Sequence, residues 1–270
     1  LMKKKLLVSG CSYTAPKWHS NYHPDLDCSW PKWPSILAEK LDMDCINLAH
    51  GGAGNEYIYS SLLDKISTMN PDDIGLIISA WSHVKRKDYR LGTQWFHPGI
   101  VQGDYSPYET YGKDILSDPS PSTSFSAHAG DTQFCINQSL RYYYSLQEIC
   151  KFKKLPYKAF QMIHAWDYHE IPDKMDSTAQ EIVTKMNKQI MKYLYDSPYF
   201  NKIDESFIGW PLDKWLGGFS FEEVVIEALK YAEAPGRWKQ PSIEWSISNK
   251  DPHPNAKGHR KIAEFIENYI

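Results

Sequence analysis

The sequence predicts an α/β fold with a central, mostly parallel sheet covered by helices on both faces. Three observations carry this prediction. The first 80 residues alternate strand, helix, strand, helix, strand, the rhythm that builds a parallel sheet with right-handed crossovers. The third of these strands, Ile74–Ala80, is a continuous apolar run, as expected of a strand buried on both faces. The first two strands each run into a turn of small residues, Gly10-Cys11-Ser12-Tyr13-Thr14 and Ala49-His50-Gly51-Gly52-Ala53-Gly54-Asn55.

The elements follow in order. Lys5–Ser9 begins the sheet almost at the first residue. Trp33–Leu41 has helical spacing after Pro31 and Pro34. Asp44–Leu48 is the second strand, and Glu56–Met69 a helix with Tyr57, Ile58, Leu62, Leu63 and Ile66 on its apolar side. Residues 88–132 are rich in Tyr, Pro, Gly, Ser and Asp and read as a long irregular insertion over the sheet. Helix returns at Thr132–Lys153, strand at Tyr157–Ile163, and an amphipathic helix at Ser177–Tyr195. A short fifth strand is expected at Ile203–Trp210, a helix at Phe221–Ala232 and a terminal helix at Asn255–Ile270. No internal repeat is visible, and residues 1–270 read as one domain with that insertion.

Composition narrows the function. The chain has 30 Lys+Arg against 33 Asp+Glu, a net charge of -3, which argues against a nucleic-acid binder driven by bulk charge. No apolar run approaches the roughly 20 residues of a membrane span. The basic start, Lys3-Lys4-Lys5, is followed by too short an apolar stretch for a signal-peptide core, so a cytoplasmic location is expected. The five cysteines are scattered without zinc or CxxC spacing, which suits reduced thiols. Aromatics reach 14%, with 10 Trp and 18 Tyr. Many of them flank two of the strand ends, at Trp18, Tyr22 and Trp30 and again at Tyr89, Trp95 and Phe96. Rings at a rim offer stacking surfaces for a sugar; rings in a core need no ligand.

In an open parallel sheet, ligands bind beyond the carboxyl ends of the strands. Ser12 lies just past strand one, Gly52 and Asn55 past strand two, Trp81, Ser82 and His83 past strand three, and His253 in the loop before the last helix. Topology therefore brings these groups to one rim. His253 sits between Pro252 and Pro254, which restrain the backbone and aim the ring, and Asp251 is placed to fix its tautomer. Ser12 offers an exposed hydroxyl beside free backbone N–H groups; alternatively Ser12 or Thr14 caps a helical turn. Cys11 competes as nucleophile, although a small apolar side chain there favours burial. The Gly51–Gly54 turn can cradle an anion with its N–H groups. His19, His23, Asp25 and Asp27 carry metal-donor atoms on a Pro-rich loop, without a supporting pattern.

Together these blocks resemble the SGNH (GDSL-like) hydrolase family. Gly10-Cys11-Ser12-Tyr13-Thr14 is similar to the family's first block, with Cys where Asp is usual. Asn47–Asn55 is similar to the second, with Gly52 as the oxyanion glycine, and Asp251-Pro252-His253-Pro254 to the last. Two positions depart. The third block, Ser79-Ala80-Trp81-Ser82-His83, lacks the family's Asn, leaving Ser82, His83 or the Trp81 indole as donor. The family's acid precedes the His by three residues, where this chain has Lys250. Trp81 with Arg86 resembles phage-encoded members, for which the location would be virion-associated.

The resemblance implies a flavodoxin-like three-layer sandwich and a serine esterase. Ser12 would be the nucleophile, His253 the base and Asp251 its partner, with Ser12, Gly52 and Ser82 at the oxyanion. Tyr13, Asn55, Trp81 and His83 would meet the substrate, a small-molecule or glycan ester. No metal or organic cofactor is implied. Two other readings are an O-acyltransferase using the same site and a non-catalytic binding or virion module of the same fold.

Overall fold

The computed structural model describes residues 3–100, 132–165, 188–212, 218–219, 244–248 and 250–270. Five strands form a parallel sheet: β1 (Lys5–Ser9), β2 (Asp44–Asn47), β3 (Ile74–Trp81), β6 (Tyr157–Gln161) and β7 (Phe207–Ile208). Their order is β2-β1-β3-β6-β7. This is the flavodoxin-like order, which reverses direction between β1 and β3 and opens a crevice at their carboxyl ends. A separate antiparallel hairpin, β4 (Arg86–Leu91) and β5 (Gln94–Ile100), follows β3 directly.

Helices cover both faces. On one side α1 (Trp33–Lys40) and α4 (Ala256–Glu267) bury Trp33, Leu37, Ile262 and Ile266 against Leu6, Val8, Leu76 and Ile78. On the other, α2 (Asn55–Thr68) and α3 (Thr132–Phe152) bury Ile58, Leu62, Ile136 and Leu140 against Leu7 and Ile77. Helical residues 188–195 join this second layer through Leu194. Alternate residues of β1 and β3 thus feed opposite cores, which is why the centres of these two strands are apolar. Full burial of Leu6, Leu7 and Val8 is worth about 2 kcal/mol each. No helix among the described residues is long and apolar enough to cross a membrane.

Two sequence expectations need correction. The segment read as irregular from residue 88 begins inside the β4–β5 hairpin, which turns at Gly92 with φ +61°. Residues 101–131 of that segment lie outside the described residues. The strand expected at Ile203–Trp210 is only Phe207–Ile208, because Gly209 takes φ +82° and ends it. The expected helix at Ser177–Tyr195 is described only from residue 188, and that at Phe221–Ala232 lies outside the described residues.

Candidate active site

After β1 the chain folds into a tight turn in which the Thr14 and Ala15 N–H groups both donate to the Cys11 carbonyl, at 2.9 and 3.0 Å. The Asn47 side chain donates to the Thr14 carbonyl at 2.7 Å, and the Trp33 indole donates to Thr14 Oγ1 at 3.3 Å. The turn is thereby pinned to β2 and to α1. It presents Ser12 half-buried at the rim and turns Cys11 fully into the core. The competing nucleophile reading of Cys11 fails on that burial.

His253 comes to Ser12 from the far end of the chain. Asn255 caps α4, its Oδ1 accepting from the Lys257 and Gly258 N–H groups at 2.9 and 3.0 Å. The same side chain donates to the Glu244 and Ser246 carbonyls, and the Ile247 N–H donates to the His253 carbonyl at 2.9 Å. The loop before α4 is therefore braced on both sides of His253. Its Nε2 lies 2.8 Å from Ser12 Oγ, and its Nδ1 lies 2.7 Å from Asp251 Oδ1. Asp251, two residues before the His rather than the three that the sequence resemblance implies, reaches the ring.

The carboxylate is itself held. Asp251 is buried; the Ser20 hydroxyl donates to its Oδ2, and the His253 N–H to its Oδ1 at 3.2 Å. Burial alone would raise the Asp251 pKa, but the hydrogen bonds from Ser20 and His253 outweigh it and hold the carboxyl below its usual range. His23 ties this arrangement together. Its N–H donates to Ser20 Oγ, and its Nε2 is 2.7 Å from Ser248 Oγ, which in turn accepts from the Asp251 N–H. The metal-donor reading of His23 gives way to this bracing role. Trp18 stacks on the His253 ring with centroids 4.1 Å apart, and Tyr13 lies against it at 4.7 Å.

The loop after β2 stands beside this turn. The His50 N–H donates to the Gly10 carbonyl at 3.1 Å, and the Ala53 N–H to the His50 carbonyl at 3.2 Å. Gly52 has φ +77°, a conformation that costs a residue with a Cβ. Among the described residues, neither the Gly52 N–H nor the Ser12 N–H donates to a protein group. A hydroxyl bonded to an imidazole, the imidazole bonded to a buried carboxylate, and unspent N–H donors nearby can together support proton transfer from the hydroxyl as it attacks a carbonyl carbon.

No protein-family model matches the sequence, and no curated protein matches it either. The solved structures it resembles include a G-D-S-L family protein and acetylxylan esterases. The G-D-S-L family protein, from Desulfitobacterium hafniense DCB-2, has 9% identity and a TM-score of 0.42, with 99% of each chain covered. An acetyl xylan esterase shares 10% identity at a TM-score of 0.42, covering 98% of this chain and 99% of that one. A catalytic mutant of an acetylxylan esterase from Geobacillus stearothermophilus has 12% identity and a TM-score of 0.40, covering 99% and 94%. Each is a likeness in chain outline; the chemistry of this chain rests on its own residues.

Several residues expected at the substrate lie elsewhere. Trp81 is fully buried in the core against Tyr143, with centroids 4.5 Å apart. Strand alternation places it on the same face as Ile77, inward and away from the rim. Ser82 is also fully buried, and its N–H donates to Asn55 Oδ1 at 2.8 Å. Asn55 is 3% exposed, and its amide donates to Ser139 Oγ and to the Tyr143 hydroxyl. It is a buried hub joining α2, α3 and the end of β3. His83 is buried as well, its Nδ1 accepting from the Lys85 N–H at 3.1 Å. Of the four residues expected to meet substrate, Tyr13 lies against the His253 ring. Sequence reasoning gave no role to Ser20, Ser248 or the buried Asp88, none of which belongs to a recognisable block.

Proposed function

We propose that this chain is a serine esterase of the SGNH type, acting on a small ester or an O-acylated carbohydrate. The observation that carries this reading is the chain of two short contacts, Ser12 Oγ to His253 Nε2 at 2.8 Å and His253 Nδ1 to Asp251 Oδ1 at 2.7 Å.

Asp251 keeps the proton of the neutral ring on Nδ1 and leaves the Nε2 lone pair facing the hydroxyl. Ser12 Oγ attacks the ester carbonyl carbon while Nε2 takes its proton. The negative charge gathers on the former carbonyl oxygen, where the Ser12 and Gly52 N–H groups are the donors. Collapse breaks the bond to the alcohol oxygen, which leaves with the proton from His253. Water then gives a proton to His253 and attacks the acyl-serine, releasing the acid and restoring Ser12. Asp251, held below its usual pKa, stays a carboxylate throughout and stabilises the imidazolium. Trp18 stacked on His253 shields the relay on one side and offers an aromatic surface to a sugar ring.

Ser12→Ala and His253→Ala are each expected to lower hydrolysis of a short aryl ester by on the order of 10⁴-fold, with the melting temperature little changed. A fluorophosphonate probe is expected to label Ser12 in the native chain. Full activity in Ser12→Ala, or labelling at a residue other than Ser12, would overturn the assignment.

A further inference from the structure

Helix α2 begins without a side-chain cap of its own, its N-cap being Gly54. The cap arrives from 34 residues away. Asp88 of β4, its side chain fully buried, accepts from the Gly54 N–H at 2.8 Å through Oδ1 and from the Tyr57 N–H at 2.8 Å through Oδ2. A carboxylate at this end also meets the positive pole of the helix. The approach is so close that a Cβ on Gly54 would lie 2.7 Å from the Arg86 carbonyl.

The same carboxylate holds His97 of β5, whose Nδ1 is 2.6 Å from Asp88 Oδ1. His97 is wedged against the preceding turn. A Cβ on Gly52 would meet His97 Cβ and the His97 carbonyl, both at 3.3 Å. Between the two, Arg86 donates to the Ala53 carbonyl at 3.4 Å. Three consecutive residues, Gly52, Ala53 and Gly54, are thus each touched by the hairpin. On its other side the turn is anchored through His50 to Gly10, two residues before Ser12.

We propose that Asp88 is a positioning residue for the Gly52 N–H, so that the β4–β5 hairpin sets how firmly the site holds the oxyanion. This rests on the esterase reading above. The third sequence block offers no Asn to supply a donor, so a larger share of the stabilisation falls on the backbone N–H groups. Their placement then depends on whatever fixes the turn.

The test compares an oxo-ester with its thionoester, whose sulfur is a larger and weaker acceptor and draws less from the same donors. In the native chain the oxo-ester should be strongly preferred. Losing one oxyanion donor costs about 10²–10³-fold in kcat. Displacing one in Asp88→Asn is expected to lower oxo-ester kcat about ten- to hundredfold, with KM nearly constant, and to shrink the oxo/thiono preference about tenfold. His97→Ala, which leaves both α2 caps in place, should shift the preference in the same direction. The preference is a ratio, so a partly unfolded sample does not alter it. An unchanged ratio in both variants would overturn the proposal and leave Asp88 a helix cap only. A native chain that hydrolyses neither ester and leaves Ser12 unlabelled would overturn the esterase reading and this proposal together.

Discussion

His259 makes the fold acid-sensitive in a way that can be worked through. It lies in α4, 3% exposed, and its Nδ1 accepts the Trp33 N–H, an otherwise orphaned donor at the start of α1. Lys32, the N-cap of α1, makes no side-chain cap there. Acting as acceptor requires a bare Nδ1, so a second proton on the ring would turn the contact repulsive. Burial first, and then the positive charges of Lys32 and His253, lower the His259 pKa to about 3. In the unfolded chain the ring titrates near 6.5. Between these values the unfolded chain holds a proton that the folded one refuses, so stability falls as pH falls from about 6.5 toward 3. At about 1.4 kcal/mol per unit, this group alone removes about 3 kcal/mol of stability by pH 4. Urea unfolding at pH 7, 5.5 and 4 measures the slope. His259→Asn keeps an acceptor near Nδ1 without a proton to gain in this range. The variant should be less stable at pH 7 but lose about 3 kcal/mol less than the native chain on going to pH 4. Identical pH slopes in the two proteins would refute the reasoning.

The Ser20 hydroxyl is one of the hydrogen bonds that keep the Asp251 carboxyl low. Ser20→Ala should therefore raise the Asp251 pKa, move the acid limb of the kcat profile to higher pH, and cut kcat about tenfold, the scale of one charged hydrogen bond. An unmoved acid limb would show that Ser20 only fills space. Asn55→Ala removes both amide bonds and the acceptor for the Ser82 N–H. It should destabilise the fold by about 2–4 kcal/mol in denaturant titrations while leaving KM unchanged; a raised KM with native stability would return Asn55 to the substrate.

The parallel sheet was legible because strands buried on both faces cannot alternate; their apolar runs stand out from the helices between them. The hairpin escaped notice for the opposite reason. Arg86–Leu91 presents one buried position, Asp88, in a polar ribbon, so neither an apolar run nor alternation marks it. Ser12, His253 and Gly52 could be assigned to one rim because strand ends and a Pro-flanked loop locate them by topology. Trp81 was misassigned by the same logic: reaching the end of a strand says nothing about which way a side chain faces, whereas counting parity from Ile77 would have turned it inward. Ser20 and His23 act through a loop with no periodicity, and only folding against residues 248–251 gives them a role.

The relay is assembled from very unequal distances along the chain. Asp251 and His253 are two residues apart and belong to one turn, whereas Ser12 stands 241 positions away from its imidazole. During synthesis β1, β2 and β3 can pack with α1 and α2 while the hydroxyl has nothing to take its proton. On the esterase reading, competence requires α4 to dock on α1 through Trp33–His259 and Lys40–Glu267 and to carry its leading loop onto the rim. Until that docking the serine is dormant, and on the esterase reading α4 is the element that arms it.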